Sequence, residues 1–282
     1  MSFFKKIILR LVSRVISTNS AKYLIVRLSA TANINLFELA LNNQGILNYS
    51  SSELAGEDYF IEKFLPNYFK NIASENLILF DVGANIGKYT HALAKTFPQA
   101  SIFSFEPNPN SFKLIKANIE KHISKSERIK ILPVGLSSIV ESKSIVSYQD
   151  SPGSSHTSIY KEVFDEFHQS KNNISIDAQF TTLDRICEDH KVDKIHLLKI
   201  DTEGHELEVL KGATNLIGQN KIDIIQFEFG ECHVYSRVFL RDFYLLLKGF
   251  KFYRLLPDRL LPLGEHSPAH EIFRFQNIIA IR

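Results

Sequence analysis

From residue 76 onward, short apolar runs alternate with longer stretches in which apolar residues recur at the spacing of one helix face. This alternation is typical of βαβ units and predicts a parallel sheet with helices on both faces. The apolar runs predict strands over residues 78–82, 101–105, 129–134, 195–200, 222–229 and 277–282. The amphipathic stretches predict helices over residues 88–96, 110–122, 206–216 and 240–247. We therefore expect a doubly wound α/β domain that binds ligands at the carboxyl ends of its strands.

Residues 137–178 break this regular pattern because they are rich in serine, asparagine and other polar residues. Within them, the SPGSSHTS run at residues 151–158 predicts a loop over the sheet edge or over the mouth of the active site. His156 in that run could close over a bound acceptor, or it could be an ordinary solvated loop histidine.

The N-terminal stretch over residues 3–16 has helical periodicity of its own. Its apolar run is interrupted by four basic residues, Lys5, Lys6, Arg10 and Arg14. These charges argue against a secretory signal and against a membrane span. We expect a helical extension over residues 1–55, followed by one domain over residues 56–282. A basic amphipathic helix in the extension could make peripheral contact with an anionic membrane, or dock on the domain or on the partner of a homodimer.

Composition narrows the classes of partner. The chain has 282 residues, of which 44% are apolar, and this suits one large α/β domain with an extension. The 33 basic and 31 acidic residues are spread through the sequence, so no footprint for nucleic acid is visible and a small, nearly neutral substrate is expected. Cys187 and Cys232 are the only cysteines and lack disulfide or metal-ligand spacing. A reducing, cytoplasmic location follows.

A glycine-containing turn, DVGANIG, joins the first predicted strand to its helix. Glycines in such a turn let backbone N–H groups approach a ligand closely. A dinucleotide-binding turn would carry further glycines at the positions of Asn85 and Lys88, so a pyrophosphate is poorly served. Asp81 opens the turn, and its carboxylate suits the amino group of an amino-acid-like ligand. The turn therefore indicates a cofactor with a methionine-like end.

A second acidic residue strengthens this interpretation. Glu106 follows the second predicted strand and lies 19 residues beyond Gly87. An acidic side chain about 20 residues past such a turn reaches ribose hydroxyls in nucleotide-binding domains. The alternative is that Asp81 and Glu106 only cap helices at the ends of strands.

Four segments in order, DVGANIGKYT, FEPNPNSFKLIKANI, TTLDRI and LLKIDTEGHELEVLKGA, resemble the FkbM family of S-adenosylmethionine-dependent methyltransferases. The resemblance covers the chain from about Gly56 to its C-terminus. It implies a class I, Rossmann-like fold with a seven-stranded, mostly parallel sheet whose last strand is antiparallel. It also implies methylation of an oxygen on an acceptor such as a sugar or polyketide hydroxyl.

The resemblance further implies which residues bind S-adenosylmethionine. The glycine turn would hold the methionine portion, Glu106 the ribose, and the turn after the third strand the adenine, with Glu57 near the methionine end. The full implied set is Glu57, Asp81, Gly83, Ala84, Asn85, Gly87, Thr90, Glu106, Pro107, Asn108, Gly135, Leu136, Ser137 and Asp201.

The chemistry at the methyl group points to four further residues. A hydroxyl acceptor must lose its proton as it attacks, which requires a carboxylate or a histidine within hydrogen-bond reach. The candidates at the ends of the fourth and fifth strands are Asp201, Glu203, His205 and Glu228. One of the first three could act alone as general base, or Asp201 and Glu228, with or without Glu203, could bind a divalent cation. The metal-free arrangement is favoured because no compact ligand motif is present.

Three other functions compete on the same fold. Carboxyl O-methylation of a peptide or metabolite, or N-methylation, would favour a basic pocket and make Asp201 unimportant. A non-catalytic module could bind S-adenosylmethionine without transferring its methyl group, although Asp201, Glu203 and Glu228 argue against this. An NAD-dependent oxidoreductase would require the missing glycines. The acceptor itself, whether a small molecule, a glycan or a peptide, stays open.

Overall fold

The computed structural model describes residues 18–122, 126–148, 157–167, 169 and 172–282. The basic stretch over residues 3–16 and His156 lie outside the described residues, so the expectations for them stay predictions.

The described strands form two sheets. In chain order they are β1 (Ile78–Val82), β2 (Ser101–Phe105), β3 (Ile129–Leu132), β4 (Gly135–Leu136), β5 (Glu141–Tyr148), β6 (Thr157–Ser158), β7 (Asn173–Thr181), β8 (Ile195–Ile200), β9 (Ile222–Phe229), β10 (Lys251–Leu255), β11 (Leu260–Pro262) and β12 (Gln276–Ile281). The eight-stranded sheet has the order β11-β10-β12-β9-β8-β1-β2-β3, and the four-stranded sheet has the order β4-β7-β5-β6.

The large sheet is mostly parallel, which confirms the predicted fold class. Strands β3, β2, β1, β8 and β9 run parallel, and β12 lies antiparallel between β9 and β10. Seven of its strands thus follow the expected arrangement. The expected count was one too low, because the short edge strand β11 pairs with β10. The order reverses between β1 and β8, and ligands of open α/β sheets bind at such a switch point.

The small sheet gives regular structure to the polar stretch over residues 137–178, in which only the SPGSSHTS run was predicted to be a loop. The last two residues of that run, Thr157 and Ser158, form β6, and the others lie outside the described residues. Strands β5 and β7 pair along eight residues, with Glu141 opposite Phe180 at one end of the ladder. Partly buried and exposed positions alternate along the first half of β5, where Ser142 and Ser144 are exposed and Glu141 and Lys143 are partly buried. The polar composition of this part therefore reflects a partly solvated antiparallel sheet.

The helices flank the large sheet or precede it. They are α1 (Asn19–Thr31), α2 (Leu36–Asn42), α3 (Glu57–Tyr59), α4 (Leu65–Tyr68), α5 (Lys88–Thr96), α6 (Pro109–His122), α7 (Leu183–Asp189), α8 (Glu206–Lys211), α9 (Thr214–Gly218), α10 (Cys232–Ser236) and α11 (Leu240–Leu246). π-Helical turns lie at Phe60–Phe64 and Val163–Phe167, and 3-10 turns at Ser74–Asn76, Ser126–Arg128 and Pro268–His270.

Both faces of the large sheet are buried, as a parallel sheet requires. Leu79, Leu197 and Ile224 are neighbours across β1, β8 and β9 and belong to one apolar cluster. The next residue of each strand belongs to the cluster on the opposite face. All six residues of β8 are buried, so this strand forms the centre of the domain.

One predicted helix is broken in two. The expected helix over residues 206–216 ends at Lys211, and a second begins at Thr214. At Gly212 a Cβ atom would lie 2.1 Å from the carbonyl oxygen of Ser137, so only glycine permits this close approach. The break lets the segment after β4 pack against the helix.

The described part of the N-terminal extension contains two helices, α1 and α2, and its boundary at residue 55 stays a prediction. Helix α1 has no buried residue. Further along, Ile46 bridges to Gln276, and the Leu47 amide donates to the Phe275 carbonyl, which ties this part to β12. No single described helix is long and apolar enough to cross a membrane. Helices α1 and α2 meet the length and composition criteria for a span only when they are taken together, and they are bent by 101° relative to each other.

Candidate active site

A cleft of about 580 Å³ opens at the carboxyl ends of β1, β2 and β8, at the switch point of the large sheet. The floor consists of residues that follow these three strands, and the small sheet forms the opposite wall. The lining residues are Val82, Gly83, Asn85, Phe105, Glu106, Pro107, Gly135, Leu136, Ile145, Thr157, Ser158, Ile159, Phe180, Asp201, Thr202, Glu203 and His205.

The glycine turn is pressed against the end of β8. Gly83 has a φ of 78°, and a Cβ atom there would lie 1.8 Å from the carbonyl oxygen of Asp201. The amides of Gly83 and Ala84 both donate to the carbonyl of Phe105, which ties the turn to β2. Glycine is required here by conformation and by space.

Glu106 fastens the glycine turn to the end of β2. Its two carboxylate oxygens accept the backbone N–H groups of Asn85 and Asn108, each at 2.8 Å. Both amides belong to the turns that precede the helices, and each carboxylate oxygen keeps a second lone pair for a ribose hydroxyl. Beside it, the Oδ1 atom of Asn85 is buried and has no hydrogen-bond partner among the described residues.

Burial raises the pKa of Glu106 to about 7, against the opposing effect of its two backbone hydrogen bonds. The carboxyl group is therefore largely protonated below pH 7 and ionised above it. A ribose hydroxyl donates more strongly to the ionised form. S-adenosylhomocysteine is the demethylated form of the cofactor that the sequence resemblance implies. We predict that its affinity rises with pH, by up to about tenfold per pH unit below the pKa of Glu106. Calorimetric titration across the neutral range measures this slope.

Two variants decide whether Glu106 causes the slope. Glu106→Gln should bind S-adenosylhomocysteine more weakly, with an affinity that does not change with pH. Burial also raises the pKa of Glu57 to about 7, so Glu57→Gln is the matched control and should keep the slope. A slope that persists in Glu106→Gln and disappears in Glu57→Gln would contradict the assignment to Glu106.

Lys199, which the sequence interpretation overlooked, lies buried beneath the cleft. Its Nζ atom is 3.1 Å from Asp201 Oδ2 and 3.5 Å from Asp81 Oδ1. Burial alone would lower the pKa of Lys199, but the carboxylates of Asp201, Asp81 and Glu57 raise it above its ordinary value. Lys199 is thus the cation that holds two strand-end carboxylates in place.

Asp81 lies behind the cleft wall and does not face it. Its side chain has no exposed surface, and Oδ2 accepts a 2.6 Å hydrogen bond from the Thr90 hydroxyl. The Thr90 hydroxyl also lies 2.8 Å from the hydroxyl of Ser104. These contacts give Asp81 and Thr90 a supporting position beneath the glycine turn, whereas direct contact with a methionine portion was expected.

Glu57 reaches the same group of charges through a hydrogen-bonded chain. The Gln226 amide donates to Glu57 at 3.3 Å, and Gln226 accepts the Tyr89 hydroxyl at 2.7 Å. The ring of Tyr89 lies 5.2 Å from the Lys199 ammonium group. The start of α3 is thereby joined to β9 and α5 around the buried lysine.

The segment after β8 is held by a buried glutamate. Glu206 accepts hydrogen bonds from the backbone amides of Thr202 and Gly204, at 2.6 and 3.0 Å. Its other buried neighbour is His233, whose Nε2 atom lies 3.1 Å away. Between these amides, Glu203 has a φ of 54°. Glu206 therefore stabilises an unfavourable backbone conformation that presents residues 201–205 to the cleft, beyond any effect on the helix dipole.

Asp201, Glu203 and His205 all line the cleft, while Glu228 does not. The Asp201 side chain is 38% exposed, and Glu203 accepts a hydrogen bond from the Cys232 thiol at 3.1 Å. Burial, together with Asp201 and Glu203, raises the pKa of Glu228 well above its ordinary value. Among the described residues, no group of three or more His, Cys, Asp or Glu side chains is arranged to hold a metal ion.

The predicted cofactor set divides between the cleft surface and the layer behind it. Its members on the surface are Gly83, Asn85, Glu106, Pro107, Gly135, Leu136 and Asp201. Its members outside the lining are Glu57, Asp81, Ala84, Gly87, Thr90, Asn108 and Ser137. The lining residues of the small sheet that sequence reasoning missed are Ile145 and Phe180, and no local motif marks them. Thr157 and Ser158 also line the cleft and end the SPGSSHTS run that was expected over the sheet edge or the mouth of the active site.

These features define a class I, Rossmann-like methyltransferase domain: the strand order, the glycine turn after β1 and the carboxylate that ends β2. The family profile described as "Methyltransferase FkbM domain" matches residues 81–252. The chain therefore belongs to the FkbM methyltransferase family.

The chain is also similar to two named methyltransferases and to one solved structure. Over 178 residues the chain is 32% identical to "Hexuronic acid methyltransferase AglP" of Haloferax volcanii, a match that covers 63% of this chain and 65% of that protein. It is 29% identical over 188 residues to "Methyltransferase sdnD" of Sordaria araneosa, covering 58% and 71% of the two chains. The crystal structure of an FkbM methyltransferase from Methylobacillus flagellatus aligns with 93% of this chain and 71% of its own, at 12% identity and a TM-score of 0.45.

Proposed function

We propose that this protein is an S-adenosylmethionine-dependent O-methyltransferase that methylates a hydroxyl group of a small molecule or glycan. The observation that carries the proposal is that one cleft combines the Glu106 ribose position with Asp201, Glu203 and His205. Binding and proton acceptance can therefore occur side by side.

The residues of the cleft fit S-adenosylmethionine. Gly83 lets the turn pack against the end of β8, and Glu106 keeps lone pairs for the ribose hydroxyls. The buried and unpartnered Oδ1 atom of Asn85 can accept from a ligand donor. Asp201 supplies a carboxylate, held by Lys199, for the cationic methionine end.

When bound, S-adenosylmethionine supplies an electrophilic methyl group on a sulfonium, which is a good leaving group. The protein must then orient the acceptor oxygen in line with that methyl group and accept its proton. The apolar residues Ile145, Ile159 and Phe180 face the floor across the cleft and limit the access of water.

Charge favours a hydroxyl acceptor over a carboxylate. Three carboxylates, Glu106, Asp201 and Glu203, line the cleft, and no lysine or arginine occurs among its described lining residues. An anionic acceptor would be repelled by Asp201 and Glu203 unless other groups offset that charge.

Carboxyl O-methylation is the second candidate, because one relative is named for a hexuronic acid, a sugar that carries both hydroxyl and carboxyl groups. The test uses S-adenosylmethionine with a labelled methyl group and pairs of acceptors, neutral hexoses against the matching hexuronic acids. Label that resists alkaline hydrolysis as a methyl ether supports the hydroxyl proposal. Label released as methanol would replace it with the carboxyl alternative, and no transfer to any oxygen acceptor would contradict both.

A further inference from the structure

The hydrogen bonds around His205 select one of the three candidate bases. We infer that Ser137 and Glu141 hold His205 in the tautomer that is protonated on Nε2, so that Nδ1 receives the proton of the acceptor hydroxyl. This inference rests on the proposed hydroxyl methylation, and it assigns Ser137 and Glu141 as positioning residues.

The tautomer follows from the direction of two hydrogen bonds. Ser137 Oγ lies 3.0 Å from His205 Nε2 and 3.4 Å from Glu141 Oε1. An ionised carboxylate only accepts, so the single hydroxyl proton of Ser137 points to Glu141. The lone pairs of Ser137 Oγ then accept from His205, which places the imidazole proton on Nε2.

The other ring nitrogen is left as an unpaired acceptor. His205 Nδ1 is fully buried and has no hydrogen-bond partner among the described residues, although His205 lines the cleft. A buried acceptor without a donor is destabilising, and a hydroxyl group bound in the cleft would relieve this. Asp201 and Glu203, the competing bases, are instead engaged by Lys199 and Cys232.

The surroundings keep His205 neutral in the resting protein, so that Nδ1 retains its lone pair. Burial, helped by Lys143, lowers the pKa of His205 to about 4, while Glu206, Glu208 and Glu141 act in the opposite direction. The rings of Tyr160 and Phe180 also flank it, each with its centroid 6.2 Å away. Lys143 is itself paired to Glu141 at 2.8 Å, so the carboxylate that ends the relay from His205 through Ser137 to Glu141 is fixed.

The proton balance of the step is simple. As the bond from the acceptor oxygen to the methyl carbon forms, the carbon–sulfur bond of the cofactor breaks and its electron pair returns to sulfur. The hydroxyl proton moves from oxygen to His205 Nδ1. The resulting imidazolium donates from Nε2 to Ser137, whose own donor bond to Glu141 helps to stabilise the charge.

Matched serine variants test the relay. Ser137→Ala removes it, and we expect kcat to fall roughly tenfold with little change in the KM for S-adenosylmethionine. Ser138→Ala is the control, because the next hydroxyl along the chain donates to Glu208 at 2.6 Å and does not line the cleft. It should leave kcat unchanged. His205→Asn should lower kcat by about 100-fold.

A measurement without turnover separates this inference from the proposed function. Nitrogen-15 spectra of histidine-labelled protein, with His205 assigned through His205→Asn, report which ring nitrogen carries the proton. We expect the Nε2-protonated form in the wild type and in Ser138→Ala, and a mixture of tautomers in Ser137→Ala. Protonation on Nδ1 at neutral pH, or a Ser137→Ala variant with unchanged tautomer and kcat, would overturn the relay. Absence of methyl transfer to hydroxyls in the wild type would overturn the proposed function instead.

A second inference rests on a different observation, the exposed apolar surface of α1. We propose that α1 binds the surface of an anionic membrane. Its exposed side chains include Tyr23, Leu24, Val26 and Leu28, of which the last three are 55–59% exposed. Lys22 and Arg27 lie among them.

The charge of the surrounding sequence favours an anionic membrane over a second copy of the chain as the binding partner of α1. The first 37 residues contain six basic side chains and no Asp or Glu, and the first acidic residue is Glu38. Such a segment is attracted to anionic lipids, whereas two copies would repel each other at a dimer interface. Apolar side chains beside these charges can then enter the interfacial region.

Vesicle sedimentation tests this proposal. We expect the full chain to sediment with vesicles of phosphatidylcholine and phosphatidylglycerol, not with phosphatidylcholine alone, and less at high salt. The double variant Leu24→Asp/Leu28→Asp should stay in solution. Leu245→Asp is the control, because this leucine of α11 is 50% exposed and distant in sequence from α1. Equal binding to both vesicles, no binding, or a solution dimer that the double variant dissociates would overturn the proposal.

Discussion

Lys199→Met is expected to lower the free energy of unfolding by about 3–5 kcal/mol, the usual cost of removing one partner from a buried ion pair. Asp81 has no exposed surface, so without Lys199 its carboxylate would stay buried with only the Thr90 hydroxyl to compensate it. Asp201 would lose its cation as well. Urea unfolding followed by circular dichroism gives the difference directly.

Two companion variants distinguish the loss of the buried ion pairs from the effect of replacing a lysine by methionine. Lys194→Met removes a partly exposed ion pair just before β8, in which the Lys194 ammonium lies 2.9 Å from Asp223, and should cost no more than about 1 kcal/mol. Lys199→Met/Asp81→Asn removes both charges and should recover part of the lost stability. A Lys199→Met variant as stable as Lys194→Met would show that the buried pairs do not stabilise the fold.

Gly83→Ala is expected to weaken S-adenosylhomocysteine binding by at least about 100-fold, equivalent to about 2.7 kcal/mol. The added Cβ would collide with the Asp201 carbonyl, and the φ of 78° is unfavourable for alanine. The turn must therefore move away from β8, and the cleft floor changes with it. Calorimetric titration measures the change in affinity.

Gly218→Ala is the control for Gly83→Ala. A Cβ at Gly218, the last residue of α9, would meet nothing within 4 Å, so binding and stability should be nearly unchanged. Wild-type affinity in Gly83→Ala would mean that the glycine turn does not shape the cofactor site.

Much of the large sheet was predictable because its central strands are continuous apolar runs. The bounds of β8 and β9 agree with their runs, since both strands are buried on two faces. Strand β10 was missed, because Lys251 and Arg254 interrupt its pattern. Arg254 is buried because its guanidinium donates to Gln276 of β12 at 2.8 Å, a partner that hydropathy does not reveal.

The site was predictable where its residues follow one strand and belong to a local motif. The glycine turn and Glu106 do so, and both lie at the cleft. Lys199 gave a signal, a charged residue between Leu198 and Ile200 in an apolar strand, but its partner Asp81 is 118 positions away. The facing wall could not be anticipated, because it depends on how the small sheet folds across the large one.

The central claim is that the cleft binds S-adenosylmethionine, and calorimetric titration tests it most directly. The purified protein is titrated with S-adenosylmethionine, S-adenosylhomocysteine and NAD, each with and without EDTA. We predict saturable binding of both sulfur compounds, with or without EDTA, and none of NAD. Binding that requires a divalent cation would favour the metal-assisted arrangement of Asp201 and Glu228. Failure of both sulfur compounds to bind would contradict the account of the glycine turn and the function built on it.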